Sequence, residues 1–278
     1  MSFIEILKVI FLGIVEGITE WLPISSTGHM ILIDEFISLN VTPEFRSMFL
    51  VVIQLGAILA VVILFWKKIF PFSFDGGPII KKNIFVMWIK IVVSCVPAVL
   101  VALLWGDEID ELFMNYQTVS IALIVFGIFF IIVENLNKHR RPKVRSIKDI
   151  SFMAAFIIGL FQVLAAVFPG TSRSGATILG AMIIGISRSV AAEYTFFLAI
   201  PVMFGASFKA ILDYGFNFTA NDIILLLIGM LVAFIVSVFA IKFLLKYIKR
   251  HDFKAFGWYR IVLGCVVLGY FIIQNVLL

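Results

Sequence analysis

Six apolar stretches restrict what this chain can fold into, because each is close to the roughly 20 residues that a helix needs to cross a bilayer core. They cover residues 47–66, 84–105, 116–133, 191–212, 223–245 and 257–278. Hydrophobic residues make up 62% of the chain and charged residues only 14%, which excludes a soluble enzyme, a disordered protein and a secreted disulfide scaffold. A membrane β-barrel is excluded because its strands alternate polar and apolar residues. The sequence therefore predicts an all-α, polytopic membrane protein with six transmembrane helices.

The loops between these stretches differ in charge, and this difference predicts the orientation of the chain. Loops 67–83, 134–149 and 246–256 are rich in lysine and arginine, whereas loop 106–115 is purely acidic and loop 213–222 has no lysine or arginine. By the positive-inside rule, the three basic loops lie in the cytoplasm and the other two lie outside. These loops explain the net charge of +5 and the pI of about 9.2, so we predict no nucleic-acid partner.

Two further apolar regions, residues 1–40 and 150–187, do not have the pattern of simple spans. Proline, small residues, hydroxyl groups and charge interrupt them, in the sequences WLPISSTGH and VFPGTSRSGAT. Irregular backbone at membrane depth is tolerated only where it is buried in protein or lines a wet cavity. The loop charges put both ends of the first region outside and both ends of the second inside. Each region is therefore predicted to be a re-entrant helical hairpin.

The two interrupted regions also resemble each other. Residues 13–26 match residues 159–172 at a constant spacing of 146 residues, with a shared proline and a shared serine. A second match downstream has a spacing of 149 residues. We therefore predict one integral membrane domain, residues 1–278, built from a repeat of about 1–133 and about 150–278. Because the first half has an odd number of spans, the second half is inverted, an architecture that places a binding site where the broken helices meet.

Two acidic residues, Glu16 and Glu20, lie in the first interrupted region. They are four residues apart, so on a helix they share one face. Ionisable groups at membrane depth are unfavourable enough to indicate function. Paired carboxylates suit a hard divalent cation, Mg²⁺ or Ca²⁺; alternatively, the two form an acid–base pair.

A hydroxyl-rich segment with a histidine follows the proline of the first region. Ser26 and His29 supply a candidate nucleophile and a candidate proton carrier, and their spacing does not decide which of the two attacks.

The second interrupted region has the pattern of an anion site. A hydroxyl run between Gly170 and Gly175 opens a helix, whose N-terminal amides favour a bound anion. Arg173 adds a planar, permanently charged fork that suits phosphate oxygens. By contrast, Lys90 and Arg260 lie within two turns of predicted cytoplasmic helix ends, so we expect them to extend to the interface as structural residues.

The motifs EGITEWLPISSTGH and PGTSRSGAT together resemble the undecaprenyl pyrophosphate phosphatases of the bacitracin-resistance type. The resemblance covers essentially the whole chain, with both motifs in order. It implies hydrolysis of undecaprenyl pyrophosphate to the monophosphate carrier of peptidoglycan synthesis, with resistance to bacitracin. It also implies a site on the outer side of the bacterial plasma membrane, with a polyprenyl pyrophosphate and membrane lipid as partners; a homodimer is left open.

The same resemblance assigns roles to individual residues. The family's acidic motif falls on Glu16 and Glu20, and its need for a divalent cation agrees with a metal site there. Its hydroxyl–histidine motif falls on Ser26 and His29. Its basic motif, which together with Gly170 is expected to bind the substrate, falls on Ser172, Arg173, Ser174 and Thr177.

Two mechanisms and one rival function follow from these assignments. In one mechanism Ser26 attacks the terminal phosphorus with His29 as base, and in the other His29 attacks directly, with Glu20 and Arg173 also in the catalytic group. The rival function is a transporter or lipid flippase, because inverted repeats with broken helices are typical of transporters. A transporter needs no nucleophile, so the Ser26 and His29 pair favours an enzyme.

Overall fold

The computed structural model describes residues 2–73 and 79–277, where the regular structure is helical apart from two isolated bridge pairs, Phe72 with Ile80 and Val144 with Ile186. The α-helices in these residues are α1 (Phe3–Thr19), α2 (Ser26–Asp34), α3 (Pro43–Val52), α4 (Gln54–Leu64), α5 (Trp66–Ile69), α6 (Lys82–Phe113), α7 (Tyr116–Asn137), α8 (Phe152–Val167), α9 (Arg173–Ile183), α10 (Arg188–Tyr214), α11 (Ala220–Tyr247) and α12 (Lys254–Leu277). A 3-10 helix, Ile147–Asp149, precedes α8. The prediction of an all-α fold is confirmed.

Within the described residues, six helical segments are long and apolar enough to cross a membrane. They are Pro43–Leu64 (α3 with α4), Lys82–Phe113, Tyr116–Asn137, Arg188–Tyr214, Ala220–Tyr247 and Lys254–Asn275. Each predicted stretch coincides with one of them to within four residues at its ends, except that Lys82–Phe113 extends eight residues beyond the predicted end, so the six spans are confirmed. Large apolar side chains such as Leu103 and Phe239 are exposed on their outer surfaces, as contact with lipid requires. The chain is a multi-pass membrane protein.

The acidic segment 106–115, predicted as a loop, is helical as far as Phe113. The backbone of α6 is interrupted at Trp105, whose φ of −138° and ψ of 17° are not helical, and a second helical stretch follows this kink. The loop prediction was wrong because the segment has no proline, and its single glycine, Gly106, stands at its start. The break at Trp105 coincides with the predicted end of the span, and the residues after it form a second helical stretch.

Four short helices form the two interrupted regions. Residues 20–25 separate α1 from α2, and residues 168–172 separate α8 from α9. α1 has 17 residues and α8 has 16. At about 1.5 Å per residue, each is shorter than a hydrocarbon core of roughly 30 Å. The helix breaks therefore fall where the two motifs predicted irregular backbone.

Glycines let both broken regions lie close against the spans. α1 packs on α11, and α8 packs on α6. A Cβ atom on Gly159 would lie 2.6 Å from the carbonyl oxygen of Ser94, and one on Gly13 would lie 2.9 Å from that of Gly229. In lipid, small residues at such crossings allow the close packing that holds helices together. Each broken region is thus fixed by a span from the other half of the chain.

Candidate active site

Two serines form the turns that lead into α2 and α9. Ser25 has a φ of 72° and Ser172 a φ of 69°, and no other described residue except glycine has a positive φ. Each side-chain oxygen accepts a hydrogen bond, at 3.2 Å, from the amide of the glycine three residues later, Gly28 or Gly175. Such backbone conformations are unfavourable by about 1–3 kcal/mol and are found mainly where the surrounding structure holds a functional site in place.

The serines of these two turns differ by one residue from the spacing of the sequence match. Ser25 and Ser172 have the same backbone conformation and the same capping bond, and they are 147 residues apart rather than 146. Ser26 and Arg173 follow these serines directly, and each is the first residue of its helix. The difference of one residue is confined to the break, because Gly13 and Gly159, like Pro23 and Pro169, keep the spacing of 146.

The carboxylate of Glu20 connects the two broken regions. Its Oε1 accepts a bond of 2.7 Å from Nη2 of Arg173, and its Oε2 accepts one of 3.1 Å from the hydroxyl of Ser26. The backbone carbonyl of Glu20 also accepts a bond of 3.2 Å from the hydroxyl of Ser174. Only 8% of Glu20 is exposed, so these charge-assisted bonds lie largely out of water. The structure thus brings together the predicted hydroxyl, acid and cation.

Glu16 lies one helical turn before Glu20 and is more deeply buried, with 2% exposed. Its Oε1 has no hydrogen-bond partner among the described residues, although Glu20 and Arg173 lie within electrostatic range. A buried carboxylate oxygen without a partner is strongly unfavourable unless a cation or donor binds it. In the described part of the chain, no group of three or more His, Cys, Asp or Glu residues forms a ready-made metal site. The two carboxylates of Glu16 and Glu20 are nevertheless suited to Mg²⁺, which is commonly held by one or two carboxylates plus substrate phosphates.

His29 is not bonded to Ser26 in this structure. One ring nitrogen, Nδ1, lies 2.7 Å from the carbonyl oxygen of Ser25, and the other, Nε2, lies 2.7 Å from the hydroxyl of Tyr259. The rings of His29 and Tyr259 are also stacked, with their centroids 5.6 Å apart. The sequence predicted a pair of Ser26 with His29, whereas the hydroxyl of Ser26 is directed to Glu20 instead.

The remaining residues of the predicted anion site fix the first turn of α9. The hydroxyl of Thr177 donates to the carbonyl of Arg173 at 2.8 Å and lies 2.9 Å from the hydroxyl of Thr195 on α10. The hydroxyls of Ser172 and Ser174 lie 3.1 Å apart. Thr177 and Ser174 are buried and bonded to protein, so this geometry favours a role in positioning Arg173.

Arg260, which was predicted to extend to the membrane interface, is fully buried and connects the two helix breaks. Its Nη2 donates to the carbonyl of Gly170 at 2.9 Å, and its Nη1 donates to the carbonyl of Pro23 at 3.3 Å. The expectation that it extends to the interface was wrong, because these carbonyls offer partners within the protein. Its charge inside an apolar stretch was the signal that could have marked it as functional.

Comparison with known proteins identifies the family of this chain. A family model described as bacitracin resistance protein BacA matches residues 9–266. The chain belongs to the BacA family. The undecaprenyl-diphosphatase 1 of Clostridium acetobutylicum is 66% identical over 98% of this chain and 100% of its own length. The undecaprenyl-diphosphatase of Desulfitobacterium hafniense is 62% identical over the full length of both chains, and one from Enterococcus faecalis is 59% identical over 96% of this chain and 98% of its own.

The BacA-type motifs thus supply the parts that phosphoryl transfer requires. The N-terminal ends of α2 and α9 meet at Glu20, and such helix ends favour anions. A guanidinium, a hydroxyl and two carboxylates lie at this junction. The arrangement is able to bind a phosphate group, present a nucleophile to it and accept a proton.

Proposed function

We propose that this chain is an undecaprenyl diphosphatase, which hydrolyses undecaprenyl diphosphate to undecaprenyl phosphate and inorganic phosphate. The observation that carries the proposal is the carboxylate of Glu20, which binds the hydroxyl of Ser26 and the guanidinium of Arg173. A relative that is 66% identical bears the name of this activity. The product is the lipid carrier of peptidoglycan synthesis, and the family description names bacitracin resistance.

Arg173 is the proposed binding group for the diphosphate. Its planar fork matches two phosphate oxygens at once, which an ammonium group does not. Its backbone carbonyl is held by Thr177, and its Nη1 donates to the carbonyl of Thr195 at 3.4 Å. Binding of the substrate would replace Glu20 as the partner of the guanidinium and leave the carboxylate free to act on Ser26.

Ser26 is the proposed nucleophile and Glu20 its base, since a base must lie within hydrogen-bond reach of the proton that it removes. Attack by Oγ forms a bond to the terminal phosphorus and breaks the bond from that phosphorus to the bridging oxygen, so undecaprenyl phosphate leaves. A water molecule then attacks the phosphoserine, which releases inorganic phosphate and restores the hydroxyl. If His29 were instead the nucleophile or the base for Ser26, its ring would first have to break its hydrogen bonds with Ser25 and Tyr259.

Glu16, with Glu20, is the proposed ligand for a divalent cation, Mg²⁺ or Ca²⁺. The unpartnered Oε1 of Glu16 supports this assignment, whereas both oxygens of Glu20 already have partners in the protein. A bound cation supplies positive charge to the phosphate oxygens. Glu16 is therefore the stronger candidate for a ligand, and Glu20 for the base.

The architecture that we propose is an inverted repeat with two re-entrant hairpins and the site open to the outer side. The helix contacts support it because they come in reciprocal pairs: α1 with α11 matches α8 with α6, and α2 with α12 matches α9 with α7. The helices α7 and α12, which would be equivalent, pack on each other. The basic loops support an orientation with those loops in the cytoplasm.

The activity is tested by measuring phosphate release from undecaprenyl diphosphate by the purified protein in detergent, with added Mg²⁺ or Ca²⁺. We expect inorganic phosphate and undecaprenyl phosphate in equal amounts, and no release by the Ser26→Ala variant. A matched assay in proteoliposomes follows movement of the lipid across the bilayer. Lipid movement without phosphate release from either preparation would overturn the proposal in favour of the flippase alternative.

A further inference from the structure

A basic cavity lies outside the candidate active site, between the end of α5, the start of α6, the 3-10 helix and the first turns of α10. Its volume is about 690 Å³. Seven lysine and arginine side chains line it, from residues 67–68, 81–90 and 145–148. None of the candidate active-site residues contributes to it.

The charges that line the basic cavity are poorly balanced. Among the described residues that line it, Glu193 is the single acidic one, and it is already paired with Lys68 at 2.6 Å. The other six basic side chains have no acidic partner within ion-pair distance among residues 2–73 and 79–277. So many unpaired cations around one cavity favour the binding of an anion.

Lys90 makes this imbalance more unfavourable because it is buried, with 8% exposed. Its ammonium donates to the carbonyl of Lys148 at 3.2 Å and lies 5.8 Å from the ring centre of Phe152. A carbonyl and a ring face offset only part of the desolvation of a buried ammonium. An anion in the cavity would supply the missing negative charge.

An apolar surface adjoins the basic cavity. Met87, Val190 and Phe197 form part of its wall. From the same end of α6, Phe85, Ile89 and Val92 continue along the helix as exposed side chains. A ligand with a charged head and a hydrocarbon tail matches both surfaces, whereas a free anion matches only the first.

We propose that the basic cavity binds the phosphate head group of an anionic membrane lipid. Basic pockets between membrane helices on the positively charged side bind such head groups through phosphate. The lipid's tail would then lie along the exposed face of α6. This site is separate from the candidate active site, and the inference stands whether or not the chain hydrolyses a lipid diphosphate.

The test measures retention of phosphatidylglycerol by the purified full-length protein in detergent, with native mass spectrometry. The cavity variant is Lys82→Gln with Arg145→Gln and Lys148→Gln, which removes three exposed cations and leaves the buried Lys90 in place. The control variant is Lys242→Gln with Lys246→Gln and Arg250→Gln, which removes the same charge from exposed positions outside the cavity. Size-exclusion profiles and thermal unfolding verify that both are folded.

We expect the wild type and the control variant to retain phosphatidylglycerol over diacylglycerol with the same chains. The cavity variant should retain it at least about tenfold more weakly, because three cations near the phosphate are lost. Equal retention by the cavity and control variants would overturn the proposal. Binding of inorganic phosphate by the wild type without retention of phosphatidylglycerol would also overturn it, since the cavity would then be a site for a free anion.

Discussion

Ser26 and Arg173 occupy equivalent positions in the two broken regions and bind the two oxygens of one carboxylate, that of Glu20. Each begins a helix directly after a serine with a positive φ. The two regions therefore use the same turn for different chemistry, since one presents a hydroxyl and the other a guanidinium. In the proposed reaction, the first half of the chain thus supplies the nucleophile and the second half supplies the phosphate-binding group. The role of each of these residues is testable by a separate substitution.

Arg173→Ala should lower phosphate release by about 10³-fold or more, because the side chain is the proposed charge partner of the phosphate. Arg173→Lys should recover little of this activity, since an ammonium lacks the planar fork. The measurement is the initial rate at saturating lipid, with Arg250→Ala, an exposed arginine, as control. Wild-type turnover by Arg173→Ala would refute the assignment.

Ser26→Ala should abolish the chemical step while the substrate still binds, because only Oγ is removed. We expect a loss in kcat with little change in KM, and a trapped phosphoserine in the wild type after rapid quenching and mass spectrometry. Ser38→Ala, an exposed serine, is the control. A phosphohistidine at position 29 in the quenched enzyme would instead identify His29 as the nucleophile.

Glu16→Gln should raise the metal concentration needed for half-maximal activity, and excess metal should restore part of the rate, because one carboxylate ligand is lost. Glu20→Gln should keep its defect at every metal concentration, since it removes the proposed base. The measurement is activity against Mg²⁺ and Ca²⁺ concentration for both variants. Full activity in chelator, with neither variant responding to metal, would exclude the metal site.

Arg260→Met should reduce both stability and kcat, because it leaves the carbonyls of Pro23 and Gly170 buried without donors, at about 1–3 kcal/mol each. The metal requirement should not change, and Arg260→Lys should recover part of kcat. Val267→Ala, a buried truncation on the same helix, is the matched control for stability. If Val267→Ala lowers kcat as much at an equal loss of Tm, Arg260 has no specific role in positioning the two breaks.

The proposed orientation is tested by labelling single cysteines in intact cells. In a chain with Cys95→Ala and Cys265→Ala, Glu111→Cys should react with an impermeant thiol reagent and Arg140→Cys should not, because basic loops stay inside. Permeabilised cells provide the control for accessibility at both positions. Reversed labelling would contradict the proposed orientation.

The six spans and the two breaks were predictable from the sequence alone, because both depend on local properties. An apolar stretch of membrane length forms a helix wherever it occurs, since its backbone groups have no water to bond. Proline, glycine and hydroxyl residues interrupt helices through their own backbone and side-chain preferences. The acidic segment 106–115 was predicted wrongly because polarity alone does not prevent a helix in a segment without proline.

The partners of each polar group were decided by tertiary structure. Ser26 is bonded to Glu20, and His29 to Tyr259, which follows it by 230 residues. Arg260 reaches carbonyls in both breaks instead of the interface. Which donor meets which acceptor depends on how distant helices pack, and spacing along one chain carries no information about that. At membrane depth the requirement that every polar group find a partner is strict, but the fold alone determines which partner lies within reach.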